Sequence, residues 1–170
     1  GLGKSGISSY KFLKNKAKVY LFDDDSKKKF KHKSKQWTSN IKKISKNKFD
    51  IILVSPGIDI LNCKLSKFLK KNKSKIFTDL DVFYSFNKNK SITITGTNGK
   101  STTAKILHDI LLDQNYDCRL IGNIGNPALS EKKITKNTVF VIEASSYLLD
   151  YSQLFTSKYS VILNISPDHI

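Results

Sequence analysis

The densest chemistry in this chain lies in residues 91–107, SITITGTNGKSTTAKIL. A short β-type apolar run gives way to Gly96, Thr97, Asn98 and Gly99, and then Lys100, Ser101 and Thr102 open a helix-like pattern. In such a strand–loop–helix, backbone N–H groups and the helix N-terminus face phosphate oxygens. A lysine after the last glycine reaches the β- and γ-phosphates, and the hydroxyl beside it ligates Mg2+. These residues are therefore expected to hold ATP, with Lys100 catalytic and Ser101 a metal ligand. The usual phosphate-loop pattern places a glycine five residues before the second one. Here that position is Ile94, and the first glycine arrives two residues late, at Gly96.

Two further segments end in groups suited to a metal. Glu143 follows the apolar run VFVI, and a carboxylate at a strand end beside a phosphate loop commonly holds Mg2+ or its waters. Asp168 and His169 follow VILNISP, where a histidine can serve as a metal ligand, a phosphate contact or a plain surface residue. If both runs are strands of one parallel sheet, Glu143 and His169 emerge at the same carboxyl edge, where ligands bind such sheets.

The chain opens with a second glycine cluster, Gly1, Gly3 and Gly6 in G-x-G-x-x-G spacing. Asp23 closes the next strand about 20 residues on, where dinucleotide folds keep a ribose-binding acid. The strand that should precede such a loop would lie before Gly1.

These groups need a framework. The first half alternates: a helix from GLGKSG to about Asn15, a strand in KVYLFDDD, a strand and turn in KFDIILVSPGI, a short helix in LSKFLKKN, and a strand then helix in KIFTDLDVFYSF. This βαβ grammar predicts a parallel sheet and an α/β, Rossmann-like domain over residues 1–88. The polar break NKNKS marks a boundary. Residues 89–170 restart with SITIT, the loop and a helix to about Gln114, in which Ile106, Leu107, Ile110 and Leu111 recur at helical spacing. The strands TVFVIEASSY and YSVILNISPDHI follow, as the beginning of a mainly parallel P-loop ATPase domain. The lysine-rich residues 26–35 read as a solvated loop or helix face.

Composition narrows the class. The net charge is +16, but the excess is almost all Lys, with Arg119 the only arginine. Base readout and bidentate phosphate contacts favour Arg, so specific nucleic-acid binding is not expected. The two cysteines, Cys63 and Cys118, are too isolated for a disulfide framework or a zinc site. No apolar run approaches the roughly 20 residues of a membrane span, and a reduced, cytoplasmic setting is expected. With no Met and a start at Gly1 inside a glycine turn, the chain reads as a trimmed fragment.

Taken in order, GLGKSG, SPGI (residues 55–58), GTNGKST, GNIGNPAL (122–129), IEASSYLL (142–149) and LNISPDHI (163–170) resemble the Mur ligases, which build the peptide of bacterial cell-wall precursors. The late first glycine is that family's own loop. The SPGI and GNIGNPAL forms look most like the D-glutamate-adding branch. The resemblance implies that Gly3, Lys4, Ser5, Gly6, Ser55, Pro56 and Gly57 hold the nucleotide end of UDP-N-acetylmuramoyl-L-alanine, with Asp23 near the uridine. It implies that Glu143 ligates one Mg2+ and His169 a second, and that Asn123 sits near the γ-phosphate and the reacting carboxylate. It also implies D-glutamate as the second substrate, a monomer, and a lysine and third domain beyond Ile170. Two departures stand out: the acidic run Asp23, Asp24, Asp25, where the family often offers Thr and Arg, and SSY for the more usual Ser-Ser-Phe. The rivals are another ligase of the family, such as an L-alanine-adding one, and a non-catalytic nucleotide-binding module.

Overall fold

The computed structural model describes residues 1–25 and 37–167 of the chain. The lysine-rich residues 26–35 and the pair Asp168 and His169 lie outside them. The described residues form a mixed α/β structure in which every strand pairing is parallel.

Helix α1 (Lys4–Leu13) starts directly from the glycine turn, with Gly3 as its N-cap. Two small parallel pairs follow. Strand β1 (Leu21–Phe22) pairs with β2 (Trp37–Thr38), and β3 (Ile52–Leu53) pairs with β4 (Ile76–Phe77). Between them lie α2 (Ile41–Ser45) and α3 (Ser66–Lys71). The first half therefore holds two separate two-stranded pairs where one sheet was expected, with β2 and α2 as additional elements. Helix α4 (Asp79–Phe86) closes this half. Its N-cap Thr78 and the N3 residue Asp81 complete a capping box: each side chain accepts from the other's backbone N–H.

The second half is one four-stranded sheet in the order β6-β7-β5-β8. Strand β5 (Ser91–Thr95) leads into α5 (Lys100–Asp113), then come β6 (Cys118–Gly122), β7 (Val139–Glu143), α6 (Ser146–Tyr151) and β8 (Tyr159–Ile162). The loop-bearing strand is thus interior, with β7 on one side and β8 on the other. Helix α5 presses Ala104 against Ile94 and Val141, supported by Leu107 and Leu111. Ile106 and Ile110, on the same helical repeat, face outward instead. Strand β8 is exposed along its whole length, unlike buried β7. Cys118 is packed in this core, and burial pushes its thiol up to about 11.

The largest core crosses from one half to the other: Leu80 and Phe83 of α4 pack with Ile121, Phe140, Ile142 and Leu148. Full burial of each such side chain contributes about 1.5–3 kcal/mol. Among the described residues, no helix is long and apolar enough to cross a membrane.

Candidate active site

The loop after β5 is shaped by its glycines. Gly96 has φ +139°, and Gly99, at φ +81°, is the left-handed N-cap of α5. A left-handed N-cap without a side chain suits glycine, and Gly99 provides no side-chain hydrogen bond to the helix start. The other well-capped helices differ: Asn40, Thr78 and Ser145 each accept an N–H of their own helix. In α5 the backbone ladder begins with the Thr103 N–H on the Gly99 carbonyl, at 2.9 Å. The N–H groups of Lys100, Ser101 and Thr102 precede that bond, so the positive end of the helix is open to an anion.

Lys100 folds back over the loop. Its Nζ donates to the carbonyls of Gly96 and Thr97, both at 2.7 Å. Both acceptors are neutral, and among the described residues no carboxylate forms an ion pair with it. Ser101 and Thr102 are exposed on the first turn of α5.

Glu143 is placed by the sheet. It pairs in register with Ile94 of β5 and with Gly122 of β6. Strand alternation puts its side chain on the face of Val141 and Ile94, the face that α5 covers. It is 4% exposed, and its Oε2 has no hydrogen-bond partner. A buried carboxylate oxygen without a partner is costly, and a cation would satisfy it. The residues present therefore fit Mg2+, with the hard oxygens of Glu143 and Ser101 as the donors this ion prefers. Among the described residues there is no group of three or more His, Cys, Asp or Glu side chains suited to a metal. His169 lies outside them, so its expected meeting with Glu143 does too. Strands β7 and β8 do, however, flank β5 in one parallel sheet, as expected.

Asn123 follows directly. Its N–H donates to the Glu143 carbonyl at 2.9 Å, and its side chain is exposed.

A second cluster forms around the opening glycines. The Leu2 N–H donates to Asp23 Oδ2 at 2.6 Å, and the Asp25 N–H donates to Asp23 Oδ1 at 2.9 Å. Asp23 is buried, so its carboxylate holds the glycine turn in place. Ser55 Oγ donates to the Gly1 carbonyl at 3.1 Å, and the Ile58 N–H closes a turn over Pro56 and Gly57 onto the Ser55 carbonyl at 3.0 Å. Nothing lies within 4 Å of a side chain imagined on Gly3 or Gly57. Lys4 is exposed at the first position of α1. The structure thus brings Gly3, Lys4, Ser5, Gly6, Asp23, Ser55, Pro56 and Gly57 to one end of α1.

The sequence did not single out Asp79, Asp81 or Asn164. Ser5 Oγ donates to Asp79, whose burial raises its carboxyl pKa above the usual range; the Ser5 hydrogen bond acts in the opposite direction. Asp81, fully buried, accepts from the backbone N–H groups of Gln153, Leu154 and Phe155. Asn164, just past β8, bonds to the backbone of the phosphate loop. The available signals were local: a Thr-x-x-Asp capping pattern for Asp81, and for Asn164 a polar residue at the carboxyl end of a strand.

Residues 94–170 match the family described as Mur ligase middle domain. The chain is similar to the UDP-N-acetylmuramoylalanine--D-glutamate ligase of Rickettsia prowazekii (strain Madrid E), 39% identical over 174 residues, covering 100% of this chain and 38% of that protein. It is 34% identical over 181 residues to the enzyme of the same name from Caldicellulosiruptor bescii, covering 100% of this chain and 39% of the relative. With the namesake from Francisella tularensis subsp. novicida, identity is 42% over 125 residues, or 72% of this chain and 30% of the relative. The chain therefore spans under two-fifths of the length of these curated relatives.

Proposed function

Because this chain belongs to the Mur ligase family, we propose that it carries the UDP-substrate end and the ATP end of a ligase joining D-glutamate to UDP-N-acetylmuramoyl-L-alanine. The observations that support this most are the open start of α5, in the loop that follows β5, and the partnerless oxygen of Glu143, which pairs in register with Ile94 of β5. In this reading a phosphate site and a cation site share the carboxyl edge of one sheet.

The reaction needs both. A carboxylate is a poor acyl donor because its leaving group would be oxide. Transfer of the γ-phosphoryl group from ATP to the substrate carboxylate gives an acyl phosphate and ADP. The D-glutamate amine attacks the acyl carbon, loses a proton, and phosphate departs as the amide forms. Lys100 and the N–H groups opening α5 offset the charge on the phosphates. Glu143 and Ser101 would hold Mg2+, which would supply positive charge against the phosphates of ATP. In this reading Asn123, whose N–H bonds to the Glu143 carbonyl, serves the γ-phosphate and the reacting carboxylate. In this reading residues 1–88 receive the UDP end around Gly3, Ser5 and Gly6, residues 89–170 receive ATP, and the enzyme works as a cytoplasmic monomer.

The test is Lys100→Ala in the intact protein, supplied with ATP, Mg2+, UDP-N-acetylmuramoyl-L-alanine and D-glutamate. ADP release should fall by at least ~100-fold with the melting temperature little changed. Near-normal turnover overturns the assignment, and faster turnover of wild type with L-alanine than with D-glutamate reassigns the added amino acid. Amide shifts on UDP titration should cluster at residues 1–6; changes confined to residues 96–101 reverse the roles of the two halves.

A further inference from the structure

The two backbone N–H groups at the head of the phosphate loop are already engaged, and by one residue. The Thr97 N–H donates to the Asn164 carbonyl at 3.1 Å, and the Asn98 N–H donates to Asn164 Oδ1 at 2.9 Å. Asn164 Nδ2 returns a bond to the Asn98 carbonyl at 3.0 Å. Ser166 adds to this: its N–H donates to Thr97 Oγ1 at 3.0 Å, and that hydroxyl donates to the Ser166 carbonyl at 3.1 Å. The side chain of Asn164 thus closes a ring on the peptide groups of Asn98. A carboxamide offers an uncharged donor and acceptor side by side for this purpose.

We infer that Asn164 is a positioning residue for the phosphate loop, setting its open conformation before nucleotide arrives; this rests on the ATP reading above. A loop with glycines at 96 and 99 has many conformations to lose on ordering. Asn164 and Ser166 restrict them from the neighbouring strand's exit, and Leu163 lies directly under Gly96 and Gly99. With Thr97 and Asn98 turned toward Asn164, the phosphate donors are the N–H groups of Lys100, Ser101 and Thr102 together with Lys100 Nζ. A loop ordered in advance lets the ligand bind without bearing that entropy loss. Asn164 is exposed and so are its bonds, which makes its effect on overall stability small and its effect on the loop local.

The experiment is calorimetric titration of the intact protein with ADP, comparing wild type, Asn164→Ala, Asn164→Gln and, as a control, the adjacent Ile165→Ala. Asn164→Ala should weaken ADP binding by about tenfold, while UDP binding and the melting temperature stay at wild-type values. Asn164→Gln, which keeps the paired donor and acceptor, should recover part of the loss, and Ile165→Ala should bind as wild type does. Wild-type ADP affinity in Asn164→Ala overturns the inference, as does a Gln variant no better than Ala. A fall in melting temperature in step with the lost affinity assigns Asn164 to local folding and also overturns it. If wild type itself takes up no ADP, the nucleotide reading fails, and this inference with it.

Discussion

The carboxylate of Asp81 accepts the backbone N–H of Leu154 at 2.7 Å, across 73 residues of sequence. The same oxygen takes the Gln153 and Phe155 N–H groups at 3.0 and 2.9 Å, while the other takes the N–H and hydroxyl of Thr78. One buried side chain therefore joins the start of α4 to the turn between α6 and β8. Hydrogen bonds to a charged group contribute about 1.5–3 kcal/mol each. Asp81→Asn would turn an N–H2 toward N–H donors, and should lower unfolding free energy by at least ~3 kcal/mol. Urea denaturation reads this directly, and a loss below about 1 kcal/mol would show that the three N–H groups find other acceptors.

Glu143 should reveal its purpose through the cation. Glu143→Gln removes a buried charge whose Oε2 has no partner, so without metal the variant should melt no lower than wild type. With Mg2+ and ATP the order should reverse, because ligand binding to the native state raises stability. A wild-type melting temperature that stays unmoved by Mg2+-ATP, or a variant that rises equally, contradicts the metal role.

Asp79 gives a pH signature. Burial raises its carboxyl pKa in the folded state, against the opposing Ser5 and Leu80 hydrogen bonds. A raised folded value favours the protonated form. Its contribution is fully present below the unfolded value of about 3.9 and is lost as pH rises through the folded value. Asp79→Asn keeps an acceptor for Ser5 without the charge. The variant should therefore gain on wild type as pH rises from 4 toward 7, and the gain should vanish at the acid end. Parallel melting curves across that range would show that Asp79 titrates normally.

Gly122 sets how closely β6 meets the Glu143 end of β7. It has φ +104°, and a Cβ there would lie 2.2 Å from the Glu143 carbonyl oxygen. Gly122→Ala should cost at least ~2 kcal/mol from strain and displaced backbone, and activity should fall further than stability alone explains, since the Asn123 N–H bond to the same carbonyl is lost. Full activity at a temperature where the variant is folded would show that this contact is not part of the site.

Much of the second half was legible because its signals are long or sharply punctuated. SITIT, the glycines and a 14-residue helix gave β5, the loop and α5. VFVIE gave β7 with Glu143 at its end. The elements around Trp37 and Ile41 were not legible, since a two-residue strand and a five-residue helix carry no measurable periodicity. The exposure of Ile106 and Ile110 was equally hidden: spacing marks a helical face but does not say what covers it. Asn164 and Asp81 escaped for another reason. Their partners lie 66 and 72–74 residues away, and a sequence shows local pattern, not which distant backbone a polar side chain will meet. Asp23 was found, yet its carboxylate turns inward to Leu2, a direction that spacing alone does not give.

The interior position of β5 has a consequence for synthesis on the ribosome. Its ladder partners are residues 140–143 and 159–162, made long after residues 91–95 have emerged. A nascent chain that stops at residue 130 offers β5 with both edges bare, and its glycine loop lacks the segment that braces it. Pairings this distant in sequence raise contact order and slow folding, and an unpaired apolar strand in the meantime invites aggregation. The ordered glycine loop is thus a late product of translation, assembled only once its brace near residue 166 has cleared the exit tunnel.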